Sequence, residues 1–308
     1  MTVLEVIQKS ADFLAKKGVE SPRLQTELLL AHVLRLPRMQ LYLNFERALS
    51  DTELGTLREL VKRRGQREPL QHIIGSTSFC GLEIAVNRHV LVPRPETELL
   101  TELGWQFLST ICHAEESGAP VSDPACSRNA CPRAGSETGA PTTLDFGTGS
   151  GCIAIALAVR CPNARVVALD ASADALAVAR ENARRNGVSD RVEFRCGDGF
   201  AALPADARFQ LIVSNPPYIP RAELTSLEPE VRDFDPSSAL DGGPDGLDFH
   251  RLLAAQAGPF LQPGGRIMLE FGDGQADAVR RVFEAQKWIV EAVKEDYTHH
   301  PRHLIARR

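Results

Sequence analysis

Asn215-Pro216-Pro217-Tyr218 sets an amide side chain, two prolines and a phenol directly after the apolar run Leu211-Ile212-Val213-Ser214. The prolines fix φ and carry no N–H, so the turn is stiff and its carbonyls stay open to outside donors. The Asn215 side-chain oxygen and the Pro216 carbonyl can both accept from one planar NH2 group, with the Tyr218 ring across its face. That arrangement fits methyl transfer to an amide or amino nitrogen. The lone pair of such a nitrogen is delocalised and weakly nucleophilic. Two acceptors on its hydrogens orient it and stabilise the positive charge that develops. The proton can leave to water afterwards, so no strong general base is required. The plainer reading, a strand that simply ends there, leaves the glycine turn upstream without a purpose.

That turn is Asp145-Phe146-Gly147-Thr148-Gly149-Ser150-Gly151, placed after one apolar run and before another. Glycines let a backbone approach a ligand closely, and the helix N-terminus behind them favours a carboxylate or phosphate. A dinucleotide fingerprint needs G-x-G-x-x-G; here the third glycine comes one residue early, and Cys152 follows it. The G-x-G-x-G spacing resembles the first motif of class I methyltransferases, which hold the methionine part of S-adenosylmethionine there. Asp170 closes the next strand and offers two acceptors to a ribose diol; its plainer role is to cap the helix that follows. Asp198, in Gly197-Asp198-Gly199-Phe200, suits an adenine amino group, with Phe200 available to stack. An ordinary turn is the alternative there.

These residues need a scaffold, and the periodicities supply one. Capping boxes at Thr2-x-x-Glu5 and Ser50-x-x-Glu53 open amphipathic helices. A third helix starts at Ser21-Pro22 with Leu24, Leu28, Ala31 and Leu34 on one side, and Pro37 stops it. Residues 1–75 therefore form a small all-α unit, with Lys62, Arg63, Arg64 and Arg67 as a solvated helix end. Ser78-Phe79 and Leu82–Val86 predict a β-hairpin within a linker, residues 76–95, and a helix follows over Thr97–Thr110. Residues 113–141, rich in Gly, Pro, Ala and Ser, read as a flexible insertion.

Beyond Pro141, strands at 142–146, 164–170, 191–196, 209–214, 266–271, 288–293 and 303–306 alternate with helical segments. The prediction for residues 96–308 is thus an α/β domain with a mainly parallel seven-stranded sheet, helices on both faces and ligands at the strand carboxyl ends.

Composition narrows the function classes. The 308 residues are 43% hydrophobic and 24% charged, with a net charge of -5, which disfavours a dedicated binder of duplex nucleic acid. No signal peptide or membrane span is legible. Seven cysteines, an odd number, point to a reducing cytoplasm rather than a disulfide framework. Cys112, His113, Cys126 and Cys131 match no paired zinc knuckle, so no metal is expected.

Taken in order, the motifs resemble the peptide-chain release factor glutamine methyltransferases, or protein-(glutamine-N5) methyltransferases. The strings that carry the likeness are Glu68–Gly75, Pro93-Arg94-Pro95-Glu96-Thr97-Glu98, Asp145–Gly151, Asn215–Tyr218 and Leu240–Leu247. The resemblance implies a Rossmann-like class I methyltransferase fold with S-adenosyl-L-methionine as cofactor. The implied substrate is the glutamine of the Gly-Gly-Gln loop of release factors. It further implies that Gly147, Thr148, Gly149, Ser150, Gly151, Asp170, Gly199 and Asn215 contact the cofactor. Asn215, Pro216, Pro217 and Tyr218 would hold the glutamine, Glu96 and Thr97 would close over the cofactor, and the helical unit would recognise the substrate. Gly199 stands where the family often has an aromatic residue. The chain is expected to work as a monomer. Three rival readings are an adenine-N6 methyltransferase acting on nucleic acid, a non-catalytic module that keeps the fold, and a nicotinamide dehydrogenase; the second would bind cofactor without turnover, and the glycine register disfavours the third.

Overall fold

The computed structural model describes residues 1–116 and 142–308. The first 75 residues hold α1 (Val3–Lys16), α2 (Pro22–Leu34), α3 (Arg38–Leu41), α4 (Asp51–Gly65) and α5 (Leu70–Ile74). Both capping boxes form: the Thr2 and Ser50 hydroxyls accept from the Glu5 and Glu53 amides, and each glutamate returns the bond. Two otherwise orphaned amides are thereby satisfied at each helix start. Val3, Val6, Ile7, Leu29, Leu30 and Leu57 pack into a hydrophobic cluster of their own. The inward face of α2 differs from expectation. Leu24 is 39% exposed, whereas Leu29 and Leu30 are fully buried. Leu28-Leu29-Leu30 runs round the helix, so apolar spacing alone could not choose the face.

A hairpin follows, β1 (Ser76–Phe79) paired antiparallel with β2 (Leu82–Ala85). Its two-residue turn, Cys80-Gly81, has positive φ at both positions, the twist that closes a tight hairpin. The helix α6 spans Pro95–Glu116, longer at both ends than Thr97–Thr110. Of the insertion expected over residues 113–141, residues 113–116 belong to α6 instead; the remainder, 117–141, lies outside the described residues, and so do Cys126 and Cys131.

The second half runs β3 (Thr142–Phe146), α7 (Cys152–Arg160), β4 (Arg165–Asp170), α8 (Ala173–Arg185), β5 (Val192–Cys196) and β6 (Phe209–Ser214). It continues through α9 (Pro229–Arg232), α10 (Asp248–Gln256), β7 (Leu261–Glu270), α11 (Ala276–Ala285), β8 (Ile289–Glu295) and β9 (Pro301–Arg307). Seven of these strands form one sheet in the order β5-β4-β3-β6-β7-β9-β8, parallel except for β9. From β3 the chain winds outward through β4 and β5, then returns past β3 to β6 and β7. The direction of winding reverses between β3 and β6, where α/β sheets open a crevice for ligands. One hydrophobic cluster includes Ile155, Leu157 and Leu211; the other includes Leu144, Ile212 and Phe283. This is the class I methyltransferase fold. The short helices α3, α5 and α9 were not anticipated, since four or five residues show no measurable period.

Candidate active site

A cavity of about 480 Å3 lies at the reversal point, within the usual range for a site that holds a small molecule. The turn after β3 forms its floor. Gly147 and Gly149 have φ of 76° and 54°, and a Cβ on either would meet nothing within 4 Å. A backbone of this shape can come right up to a ligand. Beneath it, the fully buried Asp145 Oδ2 accepts from the Thr148 hydroxyl at 2.6 Å and from the Ala154 amide at 3.1 Å. Asp145 thereby ties the turn to the start of α7. Burial pushes its carboxyl up to about 7.

Across the crevice, Asp170 accepts from the Gly149 amide and the Ser172 amide, both at 2.8 Å. Both oxygens retain lone pairs, and the residue lines the cavity. Ser172, not Asp170, caps α8 by accepting from Ala175, so the helix-cap alternative is removed.

Of the residues expected in the site, Thr97, Gly147, Thr148, Gly149, Ser150, Asp170, Asp198, Gly199, Asn215 and Pro217 line the cavity. Glu96, Gly151, Phe200, Pro216 and Tyr218 are not among its lining residues. Gly151 instead packs against Ala179 of α8. Phe200, expected to stack on adenine, is 4% exposed and lies between Phe146 and Phe260, at centroid distances of 4.9 and 5.0 Å. The 3-10 turn at Gly199–Ala202 carries its ring into the core. Phe146, at the end of β3, and Phe249, in α10, are the phenylalanines among the cavity's lining residues.

Asn215 stands directly after β6. Its Nδ2 donates to the Thr97 hydroxyl at 2.9 Å, and its Oδ1 has no hydrogen bond among the described residues. Tyr218 is clasped from below by the glycine-rich loop 240–247. The Ile219 amide donates to the Leu240 carbonyl, the Gly242 amide donates to the Ile219 carbonyl, and Gln275 Nε2 donates to the Tyr218 carbonyl at 2.9 Å. A Cβ on Gly246 would lie 2.3 Å from that carbonyl oxygen, so only glycine fits there.

Curated relatives match this architecture along nearly its whole length. Residues 5–75 match the model of the PrmC N-terminal domain, and residues 136–227 that of the methyltransferase small domain. A release factor glutamine methyltransferase from Geobacter sulfurreducens is 45% identical over 282 residues, 92% of this chain and 88% of the relative. Another of that name, from Chlorobaculum tepidum, is 42% identical and covers 96% of this chain and 94% of its own. The chain belongs to the release factor glutamine methyltransferase family.

Three features of this family member were missed in the sequence. Glu270, at the end of β7, is 1% exposed and accepts from the Thr97 hydroxyl at 2.7 Å and the Tyr218 hydroxyl at 3.3 Å. Burial pushes its carboxyl up to about 7, and burial raises the Tyr218 phenol as well. The available signal was an acid inside the apolar run Ile267-Met268-Leu269-Glu270-Phe271. Second, Arg94 Nη2 donates to the buried Asp235 at 2.9 Å, which ties the segment before α6 to the one after α9. Third, the basic cluster is no solvated helix end. Arg64 is 3% exposed and bonds Glu230, as Arg67 does, while Arg63 pairs with Glu68. The acceptors for Arg64 and Arg67 lie far away in sequence, where local charge patterning cannot reveal them.

Proposed function

We propose that this chain transfers the methyl group of S-adenosyl-L-methionine to the side-chain amide nitrogen (N5) of the Gly-Gly-Gln glutamine in peptide-chain release factors. The observation that carries this reading is the free Oδ1 of Asn215 at the edge of a cavity floored by the glycine turn. The glycine cradle and the Asp170 carboxylate fit the cofactor: a carboxylate against the N-terminus of α7, a ribose diol against Asp170, and an adenine beside Phe146 and Asp198. The cofactor supplies a methyl group already activated on a sulfonium.

The protein's own part is orientation and electrostatics. Asn215 Oδ1 and the Pro216 carbonyl accept from the two amide hydrogens and turn the nitrogen toward the methyl group. As the nitrogen gains positive charge, both acceptors hold it more strongly, which stabilises the transition state over the ground state. Release of the proton to water completes the step. The helical unit, residues 1–75, and the linker, residues 76–95, form the part of the surface that would meet the release factor, with residues 96–308 carrying the chemistry. No helix among the described residues is long and apolar enough to cross a membrane, and the proposal is of a monomer acting in the cytoplasm.

The test is methyl transfer from labelled cofactor to purified release factor, with a Gln→Ala variant of its Gly-Gly-Gln loop as control. Label on the natural factor alone supports the assignment. Label on neither protein, with incorporation into nucleic acid, would overturn it in favour of adenine. Asn215→Ala should lower turnover about 100-fold with cofactor affinity little changed; equal losses in both would count against the clamp.

A further inference from the structure

Thr97 has one hydroxyl proton and places it on Glu270 Oε2 at 2.7 Å. Only lone pairs are then left toward Asn215, whose side chain lies 2.9 Å from the same oxygen. An amide facing a pure acceptor must present its NH2. Its carbonyl oxygen is therefore turned the other way, toward the cavity that Asn215 lines. The three residues come from three elements: Thr97 from the start of α6, Asn215 from the end of β6 and Glu270 from the end of β7. The pairing of Ser214 with Leu269 brings the last two level with each other. Thr97 and Glu270 are 3% and 1% exposed, so bulk water has little access to this chain of hydrogen bonds.

We propose that Glu270 is a positioning residue that, through Thr97, fixes which end of the Asn215 amide faces the substrate. This rests on the reading of Asn215 as the acceptor for the glutamine amide. Left to itself, a terminal amide can rotate by half a turn and offer either a donor or an acceptor. The wrong rotamer would set NH2 against NH2 and repel the substrate group. Glu270 abolishes that choice without touching substrate or cofactor. The Tyr218 hydroxyl, at 3.3 Å from Oε1, occupies the other oxygen more loosely and keeps it from competing for Thr97.

The test compares Thr97→Val, Thr97→Ser, Glu270→Met and Asn215→Ala in single-turnover methylation of a release factor, with cofactor Kd and thermal stability measured in parallel. Thr97→Val and Glu270→Met should each slow transfer about 10- to 100-fold while cofactor Kd moves less than about 3-fold. Thr97→Ser restores the hydroxyl and should recover most of the rate. Glu270→Met removes a buried carboxyl, so its stability should hold or rise although its turnover falls; a merely structural residue would lose both. Full turnover in Thr97→Val beside a slow Asn215→Ala would overturn the positioning role and leave the amide clamp standing. Full turnover in Asn215→Ala would overturn the clamp and the positioning role together. A Thr97→Val whose rate falls only in step with its cofactor affinity or stability would also overturn the proposal.

Discussion

Arg64 Nη2 donates to Glu230 Oε1 at 2.7 Å across 166 residues of sequence, and so joins the helical unit to the segment that follows Asn215–Tyr218. Arg64 is 3% exposed, and Gln25 and the Glu68 carbonyl accept from its Nε and Nη1. Removing the partner of a buried charge costs more than the pair itself contributes. Glu230→Ala should therefore destabilise the protein by about 2–4 kcal/mol. It should also raise KM for the release factor, with cofactor Kd unmoved. Denaturant titration and steady-state kinetics check both; a variant with wild-type stability and KM would mean the two parts are held together elsewhere.

Asp170 is expected to act on the cofactor first. Its carboxylate orients the Gly149 amide as well as lining the cavity. Asp170→Ala should weaken S-adenosylmethionine binding at least ~10-fold, since a diol would lose a charged acceptor pair. Calorimetric titration measures this directly, and an unchanged Kd would remove the ribose assignment.

Gly246 tests the clasp under Tyr218. Its φ is 77°, and an added Cβ would approach the Tyr218 carbonyl to 2.3 Å and Gln275 Nε2 to 2.5 Å. Gly246→Ala should cost about 1–3 kcal/mol and slow methyl transfer by shifting the Asn215–Tyr218 turn. Neutral behaviour in both assays would show that the loop yields.

The pH dependence of stability follows from two buried carboxyls. Burial raises Glu270 from 4.5 and Asp145 from 3.8, each to about 7. Glu270 is faced by Glu96 from α6, Tyr218, Arg302 and His303 from β9, and His250 from α10, whose Nε2 donates to its carbonyl. A raised pKa means that the folded protein holds the proton more tightly than the unfolded chain. The ionisation cost is absent below about pH 4 and accrues as pH rises to about 7. Stability should fall across that window, by roughly 3 kcal/mol for Glu270 and roughly 4 kcal/mol for Asp145. Glu270→Met should remove about half of the slope; superimposable curves for the variant and the parent protein would sink the assignment for Glu270.

What could be read in advance was local. Gly147–Gly151, Asp170 and Asn215–Tyr218 each sit within a few residues of a strand end, so periodicity placed them and an α/β sheet gathered them. Glu270 escaped because its meaning depends on β7 lying beside β6, a pairing that spans about fifty residues. Phe200 shows the reverse error. It belongs to a recognisable motif, but the direction in which a short 3-10 turn points a ring is not encoded in neighbouring residue types. The helical unit revealed its caps and its composition; the face of α2 was hidden by three consecutive leucines.

The acceptor pair proposed at Asn215 and Pro216 also implies a count. An unmodified glutamine brings two N–H groups, one for each oxygen. Once methylated it brings one, and a carbon occupies the place of the other. One acceptor then loses its donor, and this mismatch costs up to about 1–3 kcal/mol. The reaction should thus stop after a single transfer, and the same two atoms that recruit the substrate should hasten the departure of the product.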